Sequence, residues 1–145
     1  MARYPERPLP WVSKPYGPDE DAWDEAKDQA RRTIYRWAAE GRYGTYTDLV
    51  REVTAIEWLD GAFTHHGTQI GVLLGQVSME ELDRIEDRPL LSALVVGKEE
   101  SMPTSGFWGM LQELGIEDPA TEMGRLEFWS NEVKLALGYY GSRLP

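Results

Sequence analysis

The placement of proline constrains this chain more than any other feature. Five of its nine prolines fall in the first eighteen residues: Pro5, Pro8, Pro10, Pro15 and Pro18. Proline fixes φ and has no N–H to donate, so residues 1–18 suit neither a helix nor a central strand. The pattern predicts a Pro-rich N-terminal arm over 1–18 and a single globular domain over 19–145. The arm carries Arg3, Arg7 and Lys14 against Glu6, with Tyr4, Trp11 and Tyr16 as anchoring aromatics. It reads as a strap on the domain's own surface or as an arm that grips a partner. The 145 residues give the domain enough chain to bury one core.

Beyond the arm, apolar residues recur at helical intervals. Asp19-Glu20-Asp21 supplies a cap and an acidic first turn, and Trp23, Ala26, Ala30, Ile34 and Trp37 follow on one face. Gly41 stops the run, which predicts a helix over 21–40. Thr45-Tyr46 reads as a short extended piece, and Thr47 as the cap of a second helix carrying Leu49, Val50 and Val53. Phe63 to Gly67 reads as a loop. A third helix presents Ile70, Leu73, Leu74 and Val77, with Gly71 and Gly75 allowing close packing. Ser78 and Glu81 have capping-box spacing, so a break is expected there with a restart through Leu82 and Ile85.

Leu90 to Val96 is the best strand in the chain, apolar and ending in β-branched residues. A polar loop containing Pro103 follows. Phe107, Leu111 and Leu114 mark a short helix ending at Gly115. Asp118-Pro119 is the expected cap of a last helix running to about Leu137, with Met123, Trp129, Val133 and Ala136 on one side. The expected fold class is α+β and mainly helical: a winged-helix-like helix-turn-helix core, a small sheet and a long C-terminal helix.

The charge narrows the partners. Fifteen Lys and Arg stand against twenty-five Asp and Glu, a net −10. Nearly all of the excess lies between Ser78 and Glu132. That half reads as a solvated face, or as a protein-binding or DNA-mimicking surface. The densest basic segment is Arg31, Arg32 and Arg36, so nucleic acid is disfavoured as a partner. No apolar run approaches a membrane span and the first residues lack an apolar signal core, so a soluble, cytoplasmic protein with no membrane partner is expected.

Catalytic signatures are sparse. Cysteine is absent, and the two histidines, His65 and His66, are adjacent and diverge, so no metal site and no cofactor are expected. Ser92 lies in an apolar run without a nucleophile elbow and reads as a strand serine with a satisfied hydroxyl. Trp23, Trp37 and Trp129 sit on helical apolar faces and read as core. Trp108, beside Phe107 after a polar loop, reads as an exposed interface residue.

The order of motifs over residues 30–115 resembles the DNA-binding domain of the alkylguanine-DNA alkyltransferases and alkyltransferase-like proteins. The likeness rests on Gly44-Thr45-Tyr46, the short helix at Asp48–Val53, Thr68-Gln69-Ile70-Gly71, Val95-Val96 and Gly106-Phe107. It implies a helix-turn-helix that presents a helix to the minor groove, with Tyr46 at the phosphate-contacting tyrosine. The departures are chemical. Thr68 stands where that family has its base-displacing arginine, Ser92 where it has the reactive cysteine, and Ala93-Leu94 where it has His-Arg. Alkyl transfer is therefore not implied, because a serine without a base does not replace an activated thiolate. Leu90–Val96, Lys98, Gly106-Phe107 and Phe128-Trp129 also resemble a group of small bacterial proteins, a likeness that brings no activity with it.

These observations favour a non-catalytic acidic protein-interaction module of regulatory, immunity or defence-associated type, with Trp11, Phe107 and Trp108 as contact candidates. The alternative is a winged-helix-like nucleic-acid-binding protein using Tyr46, His65, His66, Thr68, Gln69 and Ser92. A third reading is a carboxylate-based enzyme, for which no residue spacing speaks.

Overall fold

A computed structural model of the chain describes residues 20–56, 62–84, 89–97, 107–108, 111–112, 115–116 and 119–142, with the backbone alone described at 62–69 and 82–84. The expected arm, with Tyr4, Trp11 and Tyr16, and the expected cap Asp19 lie outside the described residues, as do Ile85, Leu114 and Asp118 and most of the loop around Pro103.

Helix α1 spans Glu20–Ala39 and buries Trp23, Ala26, Ala30, Ile34 and Trp37 along one stripe. Its end is a Schellman motif. Gly41 N–H donates to Ala38 O and Arg42 N–H to Trp37 O, with Gly41 at φ +74°, where a Cβ would be strained.

Strand β1, Gly44–Thr45, leads directly into helix α2, Tyr46–Glu52. Thr45, not Thr47, is the cap. Its Oγ1 accepts from Asp48 N–H at 3.1 Å, and Asp48 Oδ2 accepts from Thr45 N–H at 3.4 Å. This reciprocal box moves the helix start two residues earlier and draws Tyr46 into the helix. After α2, the Gln29 side chain from α1 accepts from Thr54 and Ala55 N–H, both at 2.9 Å.

Helix α3 runs unbroken over Ala62–Arg84. Phe63 to Gly67 is helical backbone rather than a loop, and no break occurs at Ser78. The reason is tertiary: Ser78 and Glu81 are buried and turned to partners on other elements. Ser78 Oγ accepts from Ser92 N–H at 3.2 Å, and Glu81 meets Arg31 and Tyr35 of α1. Neither side chain is available to cap α3. Gly71 and Gly75 do not mark close packing either, since a Cβ at each would meet nothing within 4 Å.

The expected strand over 90–96 is mostly a 3-10 turn, Leu91–Leu94, followed by strand β2, Val95–Val96. β2 pairs in parallel with β1, Gly44 opposite Val95 and Thr45 opposite Val96. The crossover between them runs through α2 and α3. Phe107, Trp108, Leu111 and Gln112 are helical. A second Schellman motif closes that stretch: Gly115 N–H donates to Gln112 O and Ile116 N–H to Leu111 O.

Helix α4 spans Glu122–Tyr140 and is capped by Thr121, whose side chain accepts from Gly124 N–H. It starts later than Asp118-Pro119 implied. Ala120 sits at φ +68°, outside helical space. Trp129, Val133, Ala136 and Tyr140 face the core, while Met123 points outward instead of joining them.

The fold is thus mainly helical with a small two-stranded parallel sheet. α1 packs against α3 and α4, and the 3-10 turn is held between α3 and α4. No helix among the described residues is long and apolar enough to cross a membrane.

Candidate functional site

The most enclosed polar feature is the segment 89–97, which is buried throughout. Irregular backbone in a core must find partners for its N–H and C=O groups away from water. Side chains from two helices provide them. From α4, Tyr140 Oη donates to Pro89 O at 2.6 Å, Trp129 Nε1 donates to Ala93 O at 2.8 Å, and Glu132 Oε2 accepts from Leu90 N–H at 2.9 Å. From α3, Ser78 supplies the acceptor for Ser92 N–H. These four side chains position the turn and its serine.

Ser92 is 5% exposed, and its Oγ is buried with no hydrogen-bond partner. The expected satisfied strand hydroxyl is corrected on both counts. A serine nucleophile needs a base within hydrogen-bond reach, and this hydroxyl has none. The position that resembles the reactive cysteine is a buried core site.

A second polar cluster joins α1 to α3. Trp23 Nε1 donates to Gln76 Oε1 at 2.6 Å. Lys27 Nζ meets Glu80 Oε2 at 2.5 Å. Arg31 reaches Glu80 Oε1 through Nη2 and Glu81 Oε1 through Nε, both at 2.8 Å, and Tyr35 Oη donates to Glu81 Oε2 at 3.1 Å. Residues 23, 27, 31 and 35 recur every four positions, so one row of α1 carries the whole ladder. These facing donors and acceptors tie the two helices together. No group of three or more His, Asp or Glu among the described residues stands ready to hold a metal ion.

The remaining candidates separate by burial. Phe107 and Trp108 are both 5% exposed, so the expected exposed tryptophan is corrected. Trp108 lies edge-on to Phe107 at 5.0 Å, near Phe128 at 6.2 Å, and under the Arg125 guanidinium at 5.2 Å. This aromatic packing takes Trp108 out of contact with solvent. Tyr46 is buried in the main core with Leu49 and Val53. His65, His66, Thr68 and Gln69 fall on the first two turns of α3, and their side chains lie outside the described residues, as does Trp11.

The outer surface shows what the sequence left unassigned. The exposed large apolar residues among those described are Tyr43 at 41%, Met123 at 66%, Leu126 at 43% and Leu135 at 45%. Three belong to α4. The fourth, Tyr43, packs edge-on against Trp129 of α4 at 5.3 Å. Leu126 and Trp129 are three residues apart, so Leu126 lies one turn from the ring that carries Tyr43. Leu135, nine residues from Leu126, emerges on the opposite side of the helix. Helical phase was the available signal: counted from Trp129, Val133 and Ala136, Met123 falls outside the buried stripe.

The exposed arginines among the described residues, by contrast, are engaged. Arg32 pairs with Asp28 at 2.7 Å, Arg36 with Glu52 at 3.4 Å, Arg42 with Glu40 at 2.8 Å and Arg51 with Asp48 at 3.9 Å. No family model, curated protein or solved structure matches the chain.

Proposed function

We propose that this chain is a non-catalytic, acidic protein-interaction module of regulatory, immunity or defence-associated type, and that α4 carries its docking patch. The supporting observation is the grouping of Tyr43, Met123 and Leu126 on and beside one helix. Clustered exposed apolar side chains mark recognition surfaces more often than scattered ones do. With Phe107 and Trp108 buried, the contact role passes to these residues. Capture of the tagged full chain from its native cells, followed by mass spectrometry, tests the reading. The wild type is expected to retain a stoichiometric partner that the double variant Met123→Asp, Leu126→Asp loses. A partner retained equally by the variant, or recovery of the wild type alone at low salt, overturns it.

A winged-helix-like nucleic-acid-binding role is the second reading. It draws on α2, which is capped by Thr45 and packed against both α1 and α3. The electrostatics weigh against it. Phosphate binding draws on free cations, and among the described residues Arg32, Arg36, Arg42 and Arg51 are each held by a carboxylate, while Lys134 is exposed without one. Hydroxyl and amide groups at Thr68 and Gln69 would carry the contacts. A low-salt gel shift on duplex and single strands decides this reading, and no shift at tens of micromolar protein ends it.

A further inference from the structure

Around the axis of α4, at about 100° per residue, the first two turns present Glu122, Leu126, Met123 and Glu127 in that angular order. Two exposed apolar side chains are thus bracketed by two exposed carboxylates. Several carboxylates elsewhere are engaged, although Glu20, Asp21 and Glu25 at the start of α1 are as exposed and unpaired among the described residues as those of α4 and lack an exposed apolar pair between them. Asp28, Glu40, Asp48 and Glu52 each sit against an arginine, whereas Glu122 and Glu127 form no ion pair or side-chain hydrogen bond among the described residues. Arg125, the one cation on the same two turns, is drawn over the Trp108 ring instead. An apolar pair bracketed by free negative charge complements an apolar pair bracketed by positive charge.

We infer that the occupant of this patch is a basic amphipathic protein segment, one that presents apolar side chains to Met123 and Leu126 and Lys or Arg to Glu122 and Glu127. This rests on the reading of α4 as a docking face and specifies the chemistry of its partner. The net charge of −10 acts in the same direction at longer range, by steering a basic partner toward the whole domain. A second copy of the chain, which carries an exposed Lys134 on the same helix, is the rival occupant that the self-association outcome below decides.

Three helical peptides of one length separate the terms: leucine with lysine, leucine with glutamine, and leucine with glutamate. Each is titrated into the isotope-labelled full chain at low salt and followed by amide NMR shifts. The lysine peptide is expected to bind tightest, with shifts centred on Tyr43 and residues 122–130. The variant Glu122→Gln, Glu127→Gln should weaken it about fivefold, as two exposed charge pairs predict, and 0.3 M salt should do the same to the wild type. Met123→Asp with Leu126→Asp should abolish binding.

Equal binding of all three peptides at the same residues overturns the charge inference and leaves the docking face standing. Shifts centred on the acidic start of α1, no binding of the lysine peptide at millimolar concentration, or concentration-dependent self-association through α4 without peptide each overturn it as well. The native-cell capture then decides the docking face separately. Dependence on Met123 and Leu126 without dependence on Glu122 and Glu127 would sink the basic partner alone.

Discussion

Arg31 and Glu81 meet at 2.8 Å between α1 and α3, with the Glu81 side chain 1% exposed and that of Arg31 13%. An ion pair held this far from water is costly to half-remove. Arg31→Met removes the guanidinium from the buried Glu81 charge, and is expected to cost about 3–5 kcal/mol. Replacing both partners, as Arg31→Met with Glu81→Leu, should be less destabilising than Arg31→Met alone. Urea unfolding followed by tryptophan fluorescence gives both values. A double variant weaker than the single would mean that the pair is a net stabiliser rather than a matched necessity.

The two buried serines around the 3-10 turn make a contrasting pair. Ser92 Oγ has no partner, so Ser92→Ala removes a desolvated hydroxyl and loses no bond. The expected change is between zero and about 1 kcal/mol of added stability. Ser78 Oγ is the acceptor for Ser92 N–H. Ser78→Ala orphans that buried N–H and should cost about 1–3 kcal/mol. Equal effects at the two positions would contradict this assignment of the hydrogen bond.

Local signals carried far in this sequence, and tertiary ones did not. Trp23, Ala26, Ala30, Ile34 and Trp37 announce α1 because a 3.6-residue period is written directly into the order of residues. Gly41 and Gly115 announce helix ends because only glycine enters the left-handed region cheaply. Ser78 and Glu81 misled for the opposite reason. Their spacing is that of a cap, and only the facing Arg31, Tyr35 and Ser92 turn them into core residues. The Leu90–Val96 run was legible as buried but not as a turn. Its shape comes from Trp129, Glu132 and Tyr140, which lie some forty residues on and bind its backbone. The exposure of Met123 was legible in helical phase alone, since at about 100° per residue it lies roughly 120° from Trp129.

The Thr45–Asp48 box is a local device with a measurable share in α2. A seven-residue helix has little internal stability of its own. Thr45→Ala removes the acceptor for Asp48 N–H and is expected to cost about 1 kcal/mol. Thr45→Ser should retain most of it. Hydrogen exchange at Asp48 N–H should quicken in the alanine variant and change little in the serine one. Equal exchange in both would remove the cap from the account of α2.

Glycine substitutions should split by environment, with opposite signs. At Gly75 an added Cβ meets open space inside a helix. Gly75→Ala therefore gains helix propensity and is expected to stabilise by about 0.5–1 kcal/mol, and Gly71→Ala should behave alike. At Gly44 the same atom would lie 2.5 Å from the Trp37 ring. That ring is fully buried and also lies beneath Arg42 at 5.2 Å, so it has no free side to retreat to. Gly44 also holds the Val95 register of the sheet, so a shift of its backbone would disturb β2. Gly44→Ala should destabilise by about 1–3 kcal/mol, the usual range for overpacking a closed site. Thermal unfolding of the three variants against the parent measures all the signs at once. A Gly44→Ala protein as stable as the parent would show that β1 can slide away from Trp37, and with it that the strand pair is not what fixes α2 against the core.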